Sequence, residues 1–472
     1  MPIVKPAASE TMLPPRKAKV LHEVDVLVVG GGPSGVAAAL GAACAGAKVL
    51  LVEQYGFLGG SATAGLVLTM ASYYTSSNVP LKKAKGLTLF PVDHGAGEPV
   101  IGGVMAKLVE RLVAAGGAFA PSTWTGYMVP FDPEILKGVL LDMLDEAGVE
   151  LLFHAFASGV MTEDVNLRGV VFETKSGPLV AKAKVVVDCT GDGDIAALAG
   201  APYEVGRGQD RMVQPMTLMF MLEGFRFKKF NEYVKLHPDQ WHGVEGLPKL
   251  LQQATRDGEL RVPRECALIF GNVHPGHVLV NSTRILDTLG TDVWDLTRAE
   301  IEGRRQVAQL TRFFRKYVPG FEQAFVHQSG IYACVRESRR IMGCYMLTAK
   351  DVLEAKKFDD AVARGSYPID LHNPRGKGTL LKKIKGGEAY DIPLRCLVPQ
   401  KIDGLLVGGR CISGTHAANA SYRVMPVCVA TGQAAGVCAA VAVKNRQLPR
   451  DVKASEVQAE LLKQGAILHA NK

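Results

Sequence analysis

The sequence predicts an α/β fold in which one domain is discontinuous along the chain and encloses an inserted α+β segment. Three observations carry that expectation. A strand, a glycine turn, a helix and a second strand follow one another directly after a polar N-terminal arm. Near Tyr203 the texture changes to longer segments with aromatics and mixed charges, and near Gly404 it reverts to apolar strands and glycines. Finally, 472 residues exceed what one core of ordinary size organises, so two domains are the default.

Each element has a local reason. Val24-Asp25-Val26-Leu27-Val28-Val29 is a near-continuous apolar run, the pattern of a parallel strand covered on both faces. Residues 34–45 are alanine-rich and suit a tightly packed helix, and 48–53 form the next strand, completing a βαβ unit. Residues 75–100, rich in Gly, Pro and Lys, read as a loop or insertion. Helices are expected over 104–115 and 133–147, and strands over 149–154, 170–174, 184–188 and 216–222. Leu405-Leu406-Val407 is again an apolar strand, and 426–443 a helix with Pro426 in its first turn. The expected division is an arm at 1–20, the discontinuous domain at 21–204 and 388–450, the inserted domain at 205–387 and a tail at 451–472.

Composition narrows the classes. Hydrophobic residues make up 47% and charged residues 21%, the profile of a packed globular chain. The 51 glycines, about 11% against a usual ~7%, point to tight turns and close backbone approaches. Lys and Arg number 54 against 46 Asp and Glu, a net +8 with no long basic run. That balance fits an anionic small molecule, although it also occurs in proteins that bind none, and nucleic acid is not expected as a partner. The nine cysteines include no CxxC pair and read as buried free thiols in a reducing compartment. Residues 1–20 hold no secretory-type apolar core, and no uncharged run is lipid-like enough to span a bilayer. A cytoplasmic location without membrane insertion is the expectation.

Gly30-Gly31-Gly32-Pro33-Ser34-Gly35 satisfies G-x-G-x-x-G between a strand and a helix. Gly30 permits the tight turn, Gly32 admits a pyrophosphate to the backbone, and Gly35 lets helix and strand pack closely. The helix N-terminus then offers free N–H groups to phosphates. Glu53, 18 residues beyond Gly35 at the end of the second strand, is placed to accept hydrogen bonds from ribose hydroxyls. A glycine-rich structural turn would explain the glycines but not the strand, helix and acid in register. The domain is therefore expected to be Rossmann-type.

Further segments carry a resemblance. Glu53-Gln54-Tyr55-Gly56-Phe57-Leu58-Gly59-Gly60-Ser61, Asp188-Cys189-Thr190-Gly191-Asp192-Gly193-Asp194 and Leu405-Leu406-Val407-Gly408-Gly409-Arg410 resemble FAD-binding segments of the glutathione-reductase-like superfamily. Together with Arg336-Glu337-Ser338-Arg339-Arg340-Ile341-Met342-Gly343, Tyr367-Pro368-Ile369-Asp370-Leu371-His372, Arg423-Val424-Met425-Pro426 and Gly432-Gln433-Ala434-Ala435-Gly436, they resemble the FAD-dependent oxidoreductase family, which is distantly similar to fumarate reductase flavoproteins. The resemblance implies a Rossmann-type FAD-binding domain with an inserted α+β substrate domain, and FAD held non-covalently. It implies a cofactor set of Gly30, Gly32, Pro33, Ser34, Gly35, Glu53, Gln54, Gly59, Gly60, Ser61, Thr190, Gly191, Asp192, Gly409, Arg410 and Met425. Arg410 departs from the pattern, standing where many relatives carry an acid. The chain shows no second G-x-G-x-x-G and no redox cysteine pair, which argues against a separate NADPH domain and against disulfide chemistry.

A flavin exchanges hydride with a substrate carbon, while the protein positions that carbon, moves protons and complements charge. Arg336, His372, His416 and Arg423 are the candidates for that work. Arg336, Arg339 and Arg340 at i, i+3 and i+4 share one face if helical and would clamp a carboxylate, unless they form a solvated face or internal salt bridges. His372, just before Asn373-Pro374, is expected on a loop, where an ordinary pKa near 6.5 suits proton transfer; a structural role is the alternative. The resemblance places His416, Asn419 and Arg423 near the isoalloxazine, and the helix at 426–443 with its positive end towards the flavin pyrimidine. His274 and His277 form H-x-x-H around Pro275-Gly276 without further ligands at a useful spacing, so no metal is expected. The expected function is hydride transfer between flavin N5 and a small acid or hydroxylated compound. Reduction of activated C=C bonds and a role as an electron-transfer subunit remain the alternatives. The electron donor or acceptor and the oligomeric state stay open.

Overall fold

The computed structural model describes residues 3–4, 10–76, 89–91, 97–208 and 210–468. In chain order it forms β1 (Val24–Val29), α1 (Pro33–Cys44), β2 (Val49–Val52), α2 (Pro133–Glu146), β3 (Glu150–Leu152), β4 (Ala155–Glu163), β5 (Asn166–Thr174) and β6 (Gly177–Asp188). The apolar run of β1 is explained by its place inside a parallel sheet, ordered β3-β2-β1-β6, with the strand Leu405–Val407 on the far side of β6. The 12 residues of β6 serve two sheets at once. Its first half pairs antiparallel with β5, and its second half runs parallel to β1 and to Leu405–Val407. Helix α2 starts at Asp132, whose carboxylate accepts the Glu134 and Ile135 N–H groups and so caps it. Of the 75–100 stretch read as loop or insertion, residues 77–88 and 92–96 lie outside the described residues.

The insertion builds a second sheet from β7 (Phe220–Glu223), β8 (Ala267–Gly271), β9 (His277–Val280) and β10 (Phe325–Ser329), with helix α3 (Val293–Tyr317) between β9 and β10 in sequence. The core order is β8-β9-β7-β10, antiparallel throughout. Side chains alternate as pleating demands. Phe220, Leu222, Val278 and Val280 join Phe313 and Phe314 in a separate core, while Met219, Met221 and Leu279 pack into the core of the parallel-sheet domain. This second core gathers residues 218–324 with Leu89, a narrower span than 205–387. Ile341, Leu347, Ile369, Tyr390 and Ile392 belong to the first core instead. The strand expected from 216 begins at Phe220, because Met216 and Thr217 make only isolated bridges.

The chain closes with α4 (Met425–Asn445) and α5 (Ala454–Lys463); the segment read as a tail thus contains a helix. That segment is tied back by a hydrogen bond from the Gly103 N–H to the Gly465 carbonyl (2.7 Å) and by Gln464 to Gln433 (2.9 Å). On length and a mean hydropathy of 1.7, α4 is apolar enough to cross a membrane, unlike the sequence expectation, yet 89% of that window is buried inside the protein. Its glycines show why. A Cβ at Gly432 would overlap the Ser34 carbonyl, and one at Gly436 the Ala38 carbonyl, so α1 and α4 meet backbone to backbone. Gly436→Ala is expected to lower the thermal midpoint with a loss of about 1–3 kcal/mol by overpacking. Gly138→Ala, on the exposed face of α2 with nothing within 4 Å of the new Cβ, is expected to gain about 0.5–1 kcal/mol. Paired melting curves check both signs.

Candidate active site

Helix α1 opens with Gly32 as its N-cap and Pro33 in its first turn, and no side chain caps it. Its uncapped N–H groups and positive dipole end border a cavity of about 1530 Å³ lined by Gly30, Gly32, Pro33 and Ser34. At Gly32 an added Cβ would meet nothing nearer than the Gly60 Cα at 3.9 Å, so the backbone there is open to a ligand. Glu53 stands at the end of β2 on the same wall. Its two oxygens accept the Gly31 N–H (2.6 Å) and the Tyr55 N–H (2.9 Å), and each keeps lone-pair capacity for a hydroxyl. Burial pushes this carboxyl above its ordinary pKa, opposed by those N–H groups.

The opposite wall is set by a buried carboxylate. Asp188, at the end of β6, accepts from the Thr190 N–H (3.0 Å), the Thr190 hydroxyl (2.7 Å) and the Ala196 N–H (2.9 Å). These bonds fix the Thr190-Gly191-Asp192 turn along the cavity. Asp192 accepts from Arg410 Nη2 at 2.9 Å and from the Ser338 hydroxyl. Arg410 lines the cavity and its Nη1 is buried with no partner, a donor ready for a polar or anionic ligand atom. The uncapped helix, the Glu53 oxygens and this orphaned donor match the phosphates, ribose and polar chain of a dinucleotide cofactor. A cavity larger than the ~300–1,000 Å³ of single-ligand pockets leaves room for a second molecule.

That second space is ringed by arginines. Arg336 donates to the Pro215 carbonyl (2.7 Å) and the Thr217 hydroxyl (2.6 Å). Arg264 donates to the carbonyls of Asn281, Ser282 and Thr283. Behind the wall, Arg284 reaches the Gly376 carbonyl (2.7 Å) and Nδ1 of the wall residue His372 (3.0 Å). Among the described residues none of these three guanidiniums pairs with a carboxylate. Burial and neighbouring arginines push Arg264 down to about 10 and Arg336 well below its ordinary value. Asp370 is the carboxylate that meets the cluster, 3.2 Å from the Tyr367 hydroxyl, 3.4 Å from His372 Nε2 and 3.7 Å from Arg423 Nη2. Although burial opposes ionisation, His372, Arg423 and Arg336 hold Asp370 well below the usual carboxylate range. Burial, then Arg336, pushes His372 down to about 3. Because Arg284 donates to Nδ1, the neutral ring carries its proton on Nε2. Arg423 Nε and Gln214 Nε2 are buried without partners. Cys189, Cys334 and Cys428 also line the cavity, each thiol pushed up to about 12 by burial.

Several expectations change. Arg339–Ile341 is a strand paired with Tyr203–Val205, so the three arginines share no helical face, and strand alternation divides Arg339 from Arg340. Arg339 pairs with Asp194 at 2.7 Å, while buried Arg340 pairs with Glu337 and the Gly206 and Gly414 carbonyls. His372 ends the strand Ile369–His372 rather than sitting on a loop. His416 opens the short helix His416–Tyr422, off the cavity wall, with Nδ1 2.8 Å from Glu337. Asn419 donates to the Arg410 carbonyl at 3.0 Å. Gly35, Gly59 and Gly409 shape the cradle from behind the wall; the Gly409 N–H, for instance, donates to Thr431. Gln54, Gly60, Ser61 and Met425 are on the wall. Arg264 and Arg284 are additions to the sequence expectation, and Tyr367 and Asp370, quoted there only within a resemblance segment, gain a place at the site. The two-residue spacing of Asp370 and His372 was a usable signal, since a strand puts both on one face; Arg264 and Arg284 offered none.

The family model described as FAD dependent oxidoreductase matches residues 25–461. Digeranylgeranylglycerophospholipid reductase 2 of Methanopyrus kandleri is 27% identical over 174 residues, 36% of this chain and 38% of that protein, so the match spans well under half of that relative. Thiamine thiazole synthase of Aeropyrum pernix is 29% identical over 190 residues, 36% of this chain and 68% of that one. A solved geranylgeranyl bacteriochlorophyll reductase-like protein from Thermoplasma acidophilum aligns with a TM-score of 0.45 and 14% identity, covering 94% of this chain and 84% of that chain. Matched along nearly its whole length, and carrying a cradle that fits the cofactor, the chain belongs to the FAD-dependent oxidoreductase family and is a Rossmann-type flavin enzyme.

Proposed function

We propose that this enzyme exchanges hydride with a small organic anion, an acid or a hydroxylated acid, bound among Arg264, Arg336 and Arg423. The observation that carries the reading is that Arg264 and Arg336 line the cavity beside the cofactor cradle without a carboxylate partner among the described residues, with Arg423 Nε also unpartnered. A buried charge without a counter-charge is costly, so an incoming carboxylate is strongly favoured there. Bound FAD supplies the redox chemistry, taking up or giving up hydride at N5. The chain's own groups do the rest. Arg336 and the unpartnered Arg423 Nε orient the anion. Asp370 stays ionised and holds Arg423, the Tyr367 hydroxyl and the His372 Nε2–H in place. His372 is a fixed neutral donor rather than a base that titrates near neutrality. Reduction of an activated C=C bond uses the same anion clamp with the hydride running the other way.

A panel of donors added anaerobically to the purified enzyme tests the reading. Carboxylated donors are expected to bleach the flavin absorbance while their neutral amides do not; bleaching by the amides alone would overturn it. Arg336→Gln is expected to keep the flavin and to weaken binding of the anionic substrate by about 10- to 150-fold, the value of a charge-assisted hydrogen bond of about 1.5–3 kcal/mol. Titration of flavin absorbance with the substrate measures it.

The His372 environment also has a sign. Its folded pKa of about 3 lies below the unfolded value near 6.5, so between these pH values the unfolded chain binds the extra proton and stability falls as pH falls. From pH 7 to pH 5 this contributes a loss of about 2 kcal/mol. His372→Gln is expected to lose correspondingly less over that interval, as read from thermal melts at each pH.

A further inference from the structure

One end of the inserted sheet carries a cluster that the redox site does not use. Glu223 ends β7 and lies directly opposite His277 on β9. On the other side, β10 pairs with β7 through a bulge: Met221 faces Gln328 and Leu222 faces Val326, which leaves His327 as the extra residue between them. A bulge re-aims the side chain it carries. Here it brings His327 Nδ1 to 3.0 Å from Glu223 Oε2, while His277 Nε2 stands 3.7 Å from the same oxygen. All three ligand atoms lie within 4.8 Å of one another. Tetrahedral ligands at ~2.1 Å from a zinc ion are separated by ~3.4 Å, so small rotations of the half-exposed side chains close the set.

We propose that Glu223, His277 and His327 bind one divalent transition metal of the zinc class, with an open position facing solvent. Two imidazoles and one carboxylate suit Zn²⁺, Ni²⁺ or Co²⁺, whereas Ca²⁺ and Mg²⁺ require oxygen ligands. The sequence hid the site because its three ligands come from three strands and only the His274/His277 pair shows a motif. His274 is not one of the three. Its ring centre lies 5.7 Å from that of His277, and it is paired with Asp132, the N-cap of α2. The metal therefore clamps three strands where the inserted sheet meets the parallel-sheet domain. Along β7 the same face continues through Met221 to Met219 on the cavity wall.

The test uses the untagged holoenzyme, stripped with a chelator and titrated calorimetrically with Zn²⁺, with bound metal counted by mass spectrometry after dialysis. One equivalent is expected to bind, with a higher thermal midpoint and an unchanged flavin spectrum. Glu223→Gln keeps the shape and removes the charge. It and His327→Ala are each expected to lower the affinity by at least about tenfold, the least that even an outer-shell loss costs. Failure to bind one equivalent, or equal binding by the His277→Ala/His327→Ala double variant, would overturn the site. If His327→Ala does not fold, Glu223→Gln with unchanged affinity overturns it equally.

Discussion

Everything at the cavity depends on how closely α1 and α4 approach. Gly432 and Gly436 lie against the Ser34 and Ala38 carbonyls, and no residue with a Cβ fits at either place. That contact brings two helix N-termini to one cavity: α1 borders it through Pro33 and Ser34, and α4 through Met425 and Cys428. Neither helix is capped by a side chain at that end. Two positive dipole ends thus converge on the place where an anionic cofactor belongs. The alanine and glycine content of both helices follows from this packing, and so does the burial of a helix that by composition alone suits a membrane.

The charge pattern then divides the interior into regions of different completeness. Arg340 and Glu337 form a closed buried pair, with Arg340 completed by backbone carbonyls and Glu337 also meeting His416 Nδ1, while His416 Nε2 is left without a partner. Arg410 and Asp192 form a pair with one guanidinium nitrogen left over. Arg264 and Arg336, on the cavity wall, have no carboxylate partner among the described residues. Closure decreases towards the cavity, as expected if the missing partners are ligand atoms rather than protein atoms. The buried clusters hold the walls, and the anion site proposed above lies where the pairing is least complete.

How much of this was legible in the sequence depended on distance along the chain. The cradle from Gly30 to Ser61 was legible because its chemistry is written in local backbone: a turn, a helix start and an acid one strand away. The arginine-ringed end was legible only in part: Arg336, His372 and Arg423 were named and lie on the wall, whereas His416 lies off it. Arg264 comes from a segment tens of residues away from Arg336 and Asp370, and nothing in its neighbourhood marks it as their partner. Arg336, Arg339 and Arg340 misled for a specific reason. Their spacing satisfies a helical face, but Arg339–Ile341 is a strand, and alternation sends Arg339 to Asp194 and Arg340 to Glu337. The bulge that aims His327 is set by pairing between β7 and β10, a relation that no reading of one strand contains.

Three of the four thiols on the cavity wall, those of Cys189, Cys334 and Cys428, are buried, and that burial has a chemical consequence. Peroxide and related oxidants attack the thiolate, and susceptibility follows thiolate character and access. Burial keeps Cys189, Cys334 and Cys428 protonated far above neutral pH. Sulfur placed beside the cofactor cradle is here held as the thiol, the form that oxidants attack least.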